Sequence, residues 1–163
     1  ILKSSMNNEM HQYFVRGLAL HEESRVPFLI LENRSENDTI TFQVAASEAD
    51  TLLLHMSGAD SPVPSPQDTI AELFNRHYLR PNYLEIHHLS SAEARAVLHY
   101  RSFLRQHSMT LLPAEGIALA IRLDIPIYLT PEAIITGTVA NPLYEYSHEP
   151  AQSFLFVSSE ISK

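Results

Sequence analysis

Apolar and polar positions change period several times along the chain. "MHQYFVRGLAL" and "RVPFLILEN" read as strands joined by the polar "HEES", and "DTITFQVAA" follows as a third after the turn-like "ENRSEN", so the chain opens as a β-meander. At "ASEADTLLLHMSG" the period becomes helical: Ala49, Leu52, Leu53 and Met56 share a face, and Gly58 supplies the stop. Ser47 with Asp50 three residues on resembles a capping box. "ADSPVPSPQD" places three prolines in five residues and reads as a rigid connector up to Ser65, which caps the next helix with Pro66 in its first position. That helix, "PQDTIAELFNRHYL", is expected to bury Ile70, Leu73, Phe74 and Tyr78 and to stop before Pro81. "NYLEIHHL", "EARAVLHY" and "LRQHSMTLL" then read as three strands, the last two a hairpin turning near "RSF".

Pro113 opens a helix that is apolar nearly all round, from Ile117 to Leu123, and such a helix belongs in a core. "IPIYL" reads as a short strand, and Thr130, Pro131 and Glu132 mark the start of a last short helix. From Gly137 periodicity fades. The expected organisation is one domain over 10–137 and a C-terminal tail over 138–163 that packs on the domain or on a neighbouring subunit. "TITFQVAASEADTLLLHM" and "SMTLLPAEGIALAIRL" echo each other, each passing from a strand through a small residue and a glutamate into an apolar helix. The expected fold is therefore α+β: a mixed or antiparallel sheet with packed helices, the echo pointing to a duplicated strand–helix unit that sets Glu48 and Glu115 in equivalent places.

Composition narrows the chemistry. At 163 residues and 45% hydrophobic content, one domain can bury its own core. The absence of cysteine removes disulfides, thiolate metal sites and cysteine nucleophiles. The first residues lack the pattern of a signal peptide, and Glu115, Arg122 and Asp124 interrupt the longest apolar run, so the chain reads as a soluble, cytoplasmic protein with no membrane span. A net charge of −8 argues against general binding to a phosphate backbone. Residues 76–122 differ from the rest: Arg76, Arg80, Arg95, Arg101, Arg105 and Arg122 stand there against Glu85, Glu93 and Glu115, with five of the nine histidines.

Three segments carry a resemblance. "TFQVAASEADTLLL", "SPVPSPQDTIAELF" and "LPAEGIALAIRLDIPIYL" are similar to the strand-to-helix turn, the proline-punctuated helix entry and the apolar helix followed by Pro-Ile-Tyr of the bacterial and plant bifunctional nuclease family. The similarity runs from about Val15 to Ile135. Where the family favours arginine, serine and aspartate this chain has Leu112, Ala114 and Glu115, and a favoured histidine is Gln67. The resemblance implies an α+β fold built from related strand–helix units, and nuclease activity on DNA or RNA, as reported for some members.

Hydrolysis of a phosphodiester by Mg2+ or Mn2+ needs carboxylates that converge on the cation. Glu48, Asp68 and Glu115 are the candidate ligands and catalytic residues, each at a junction leading into a helix, with Arg76 and Arg122 as phosphate contacts. Helix capping explains the same three acids without a metal, since a carboxylate in the first turn accepts unpaired backbone N–H groups. His87 and His88 are adjacent on a strand and point to opposite faces, whereas His99 and His107 face each other across the hairpin if the register allows. No Gly-x-Ser-x-Gly turn is present, which disfavours a serine nucleophile. Arg95, Arg101 and Arg105, interleaved with Tyr100 and Phe103, suit either contact with a single strand or charge protection of a hairpin edge. Two functions follow as expectations: a divergent metal-dependent nuclease, or a non-catalytic interaction or regulatory domain that has kept the fold and lost the polar site. A homo-oligomer is expected, and under the second reading "SFLFV" near the C-terminus serves as an apolar surface for self-association.

Overall fold

Short segments that mix apolar and polar residues form β1 (His11–His21), β2 (Pro27–Asn33) and β3 (Asp38–Gln43), and later β4 (Leu79–His88), β5 (Arg95–Ser102) and β6 (Arg105–Leu111). Each set is an antiparallel meander. The computed structural model describes residues 9–89, 92–139 and 154–158. Its sheet runs in the order β3-β2-β1-β7-β4-β5-β6. The three-residue β7 (Ile127–Leu129) lies between the meanders, antiparallel to β1 through Tyr13↔Ile127 and parallel to β4 through Leu84↔Ile127. The fold is the expected α+β arrangement with a mixed sheet. Among the described residues no helix is long and apolar enough to cross a membrane.

A helix follows each meander: α1 (Ala46–Ser57) after β3 and α3 (Pro113–Leu123) after β6, so the sequence echo has a topological counterpart. α3 is the centre of the helical layer and touches both α1 and α2 (Pro66–Arg76) as well as β4 and β5. Its all-round apolar sequence is buried as expected, with Ile117, Ala118, Leu119 and Ala120 each 0–1% exposed. Gly116 lets the helix come down onto the sheet, because a Cβ there would stand 3.0 Å from Ala96 Cβ.

Several sequence expectations are corrected. The N-cap of α1 is Ala45, not Ser47, and Glu48 rather than Asp50 completes the cap, its Oε2 accepting from Ala45 N–H at 2.7 Å. α2 ends at Arg76; Tyr78 turns the chain at φ 55° and is 86% exposed, and Leu73 is exposed as well. The apolar spacing continued the helical period, but this left-handed turn launches β4 directly. Pro81 is tolerated inside β4 because the register slips between Pro81 and Tyr83, and β7 pairs with β4 only from Leu84 onward. In the β5–β6 hairpin His99 pairs with Ser108 and His107 with Tyr100, so the two histidines lie on opposite faces.

Beyond Leu129, Thr130 caps α4 (Pro131–Val139), its Oγ1 accepting from Ala133 N–H at 3.3 Å. Helix therefore continues through Gly137, where the sequence periodicity fades. The "FLFV" stretch forms β8 (Phe154–Ser158) and pairs antiparallel with the second half of β1, Gly17↔Ser158 to His21↔Phe154, on its own chain. The rest of the predicted tail lies outside the described residues.

Candidate functional site

Glu48, Asp68 and Glu115 all occupy the third position of their helices, α1, α2 and α3. At that position a carboxylate reaches back to the N-cap N–H, and two of the three do so. Glu48 bonds Ala45 N–H. Asp68 Oδ2 accepts from Ser65 N–H at 2.9 Å and from Ser65 Oγ at 2.8 Å, and Ser65 Oγ accepts from Asp68 N–H at 3.1 Å.

The acids nevertheless divide between two openings. Glu48 and Glu115 line a pocket of about 190 Å³ where the first turns of α1, α2 and α3 meet, together with Gln67, which is 9% exposed and whose buried Oε1 has no hydrogen-bond partner among the described residues. Asp68 instead lines a wider cleft of about 830 Å³ formed by the end of α1, the proline-rich connector, α2 and the end of α3. Among the described residues no three histidine, aspartate or glutamate side chains are grouped to hold a metal ion. Glu48 and Glu115 thus share one opening, and Asp68 lines the other. Arg76 pairs with Glu72 one turn earlier on the exposed face of α2.

Three residues that line the wider cleft, His55, Asp68 and Arg122, are joined into a polar series through Ser65. Arg122, in the last turn of α3, donates Nε to Asp68 Oδ1 at 2.6 Å. Asp68 holds Ser65, and Ser65 Oγ lies 3.2 Å from Nε2 of His55, in the last turn of α1. The Arg122 bond, then the two bonds from Ser65, hold the Asp68 carboxyl down to about 2. Burial lowers the His55 pKa, so its ring is neutral at neutral pH. Asp68 and Arg122 were legible as candidates. His55 was not, because a lone histidine on a helix shows nothing of the serine ten residues later that meets it.

A depressed carboxyl contributes stability above its unfolded pKa and loses that contribution as pH falls through the folded one. Asp68→Asn should therefore lower the unfolding free energy by about 1 kcal/mol at neutral pH, a value limited by water around the half-open pair. The gap from wild type should narrow as pH falls from about 4 towards about 2. Urea unfolding of both proteins across that range checks it; a gap independent of pH would mean that the ionised carboxylate contributes nothing.

A third cluster lies on the sheet. Glu85, with its side chain 13% exposed, takes His87 Nε2 on Oε1 at 3.2 Å and His99 Nε2 on Oε2 at 2.9 Å. His99 stacks on Tyr83 with centroids 4.5 Å apart, and Tyr83 meets Tyr128 edge-on at 5.6 Å. Cross-strand register makes this group, and register is not visible in one sequence.

Comparison with known proteins gives one family. The model of the bifunctional nuclease domain matches residues 29–141, a span that takes in both openings and the sheet cluster. No curated protein matches the chain.

Proposed function

The chain belongs to the bifunctional nuclease family, and from that premise we propose that it hydrolyses phosphodiester bonds of nucleic acid in the wider cleft. The observation that carries this reading is the hydrogen-bonded series His55–Ser65–Asp68–Arg122 along the cleft wall. His55, neutral because it is desolvated, accepts the proton of an attacking water as the new P–O bond forms; the P–O bond to the leaving oxygen breaks, and that oxygen takes a proton from solvent. Arg122 binds the phosphate: its bond to Asp68 uses Nε, so the two Nη groups of the fork can reach a phosphoryl oxygen. Asp68 is a positioning residue that fixes the Arg122 guanidinium on one side and the Ser65 hydroxyl on the other.

The test is cleavage of labelled single- and double-stranded DNA and RNA, in parallel with Mg2+, Mn2+ or EDTA. His55→Ala should lower the rate by about 100-fold, the usual worth of a positioned proton acceptor. The wild-type rate should fall on the acid side, as protonation removes the acceptor. A rate unchanged in His55→Ala takes that residue out of the reaction. The second reading, a non-catalytic interaction domain, is favoured by the engagement of Glu48 and Asp68 in caps and an ion pair. A wild-type protein inert towards every substrate in all three conditions would select it.

A further inference from the structure

Two segments of this acidic chain, 73–84 and 94–114, contain no aspartate or glutamate but hold Arg76, Arg80, Arg95, Arg101 and Arg105. The β4–β5 pairing brings Arg80 and Arg101 together at one end of the sheet and leaves Arg95 at the other, opposite His88. Arg80 and Arg101 are directly opposite each other, a cross-strand arrangement of like charges that destabilises a sheet. Both are exposed, and neither is paired with a carboxylate among the described residues. Arg105 follows at the hairpin turn, opposite Ser102.

Beside them stand two aromatic rings in unfavourable places. Tyr78 and Phe103 are 86% and 90% exposed, and both have positive φ, 55° and 44°. Bulky side chains rarely adopt that backbone region, and glycine or asparagine would turn the chain at lower cost. Neither ring is needed for the core. Tyr78, Arg80, Arg101 and Phe103 line one groove of about 660 Å³, floored in part by Phe74 and Asn75.

We propose that this groove binds single-stranded nucleic acid, with bases stacked on Tyr78 and Phe103 and phosphates held by Arg80 and Arg101. Exposed π-faces beside two guanidinium groups that have no carboxylate partner among the described residues match a strand whose bases are unstacked and whose backbone is anionic, and duplex bases would be hidden from the rings. A phosphate between Arg80 and Arg101 relieves their mutual repulsion. The proposal deepens the nuclease reading and rests on it for the groove's purpose, but its chemistry is independent of cleavage.

The test is fluorescence anisotropy of labelled oligothymidylate and of a labelled duplex with the full chain, the recovered DNA being checked on a gel for cleavage. Single strands should bind more tightly than duplex. Tyr78→Ala and Phe103→Ala should each weaken single-strand binding about tenfold. Arg101→Gln should reduce the slope of log K against log salt by about 0.7, the share of one phosphate contact. These side chains are exposed, so unfolding midpoints close to wild type are expected and serve as the control for folding. Binding unchanged in all three variants, a preference for duplex, or sedimentation showing that the patch serves self-association instead would each overturn the proposal. Single-strand binding with these losses but no cleavage would sink the nuclease reading and leave the groove standing; cleavage with binding indifferent to all three variants would do the reverse.

Discussion

Ile117→Ala is expected to lower the unfolding free energy by about 3–4 kcal/mol, within the range for truncating a fully buried aliphatic side chain. Ile117 is 0% exposed on the helix that touches β4, β5 and both flanking helices. The deleted atoms leave a void that neighbours cannot easily fill: Gly116 has already brought α3 as close to the sheet as Ala96 and Leu84 allow. Partial collapse would lower the cost and a rigid void would raise it. Urea unfolding should show a lower midpoint with an unchanged slope. Ile121→Ala, at a partly buried position on the same helix, should cost visibly less. Equal losses at the two positions would contradict the central placement of α3.

The second large effect is expected at Gly137. A Cβ there would lie 2.3 Å from Ile40 Cγ2 and 2.7 Å from Leu89 Cδ1. Both neighbours are core side chains, 0% and 5% exposed, and neither can swing out to solvent. Alanine in a helix gains about 1 kcal/mol over glycine, but overpacking of this kind costs about 1–3 kcal/mol. Gly137→Ala should therefore be destabilising overall, and Gly137→Val, with two more methyl groups and a stiff χ1, should cost about 3 kcal/mol. Thermal unfolding that ranks glycine above alanine above valine checks it. A stabilised alanine variant would mean that α4 does not seat against β3 and Leu89.

Gly137 also shows why part of the fold escaped the sequence. A glycine near the end of a short apolar stretch reads as a stop, and its use as a contact surface depends on Ile40, a residue far away in the chain. Tyr78 is the converse case, since its spacing from Leu73 and Phe74 fits a helical face and only the left-handed turn reveals that it points to solvent. Signals that depend on the residue's own neighbours were legible: the cap at Ser65, the cap at Thr130, the all-round apolar α3 and the hairpin near Phe103. The candidate site was half legible on the same terms. Asp68 and Arg122 could be named from position and charge, but their bond joins α2 to α3, and the His55–Ser65 and Glu85–His99 contacts likewise join separate elements. Glu48 and Glu115 could be placed on equivalent helix starts, yet the division of the three acids between two openings follows from how the helices lean on one another.

The short β7 has a consequence for the order of assembly. Within each meander, strands pair with their neighbours in sequence, and pairings of that kind close small loops and form early. β7 is the strand between β1 and β4, and it comes after both meanders and α3 in the chain. A nascent chain emerging from the ribosome would thus present two hairpin-built halves, each with an unfinished edge. Only when Ile127–Leu129 arrives do the halves become one sheet, so the slow, all-or-none part of folding should coincide with the seating of three residues.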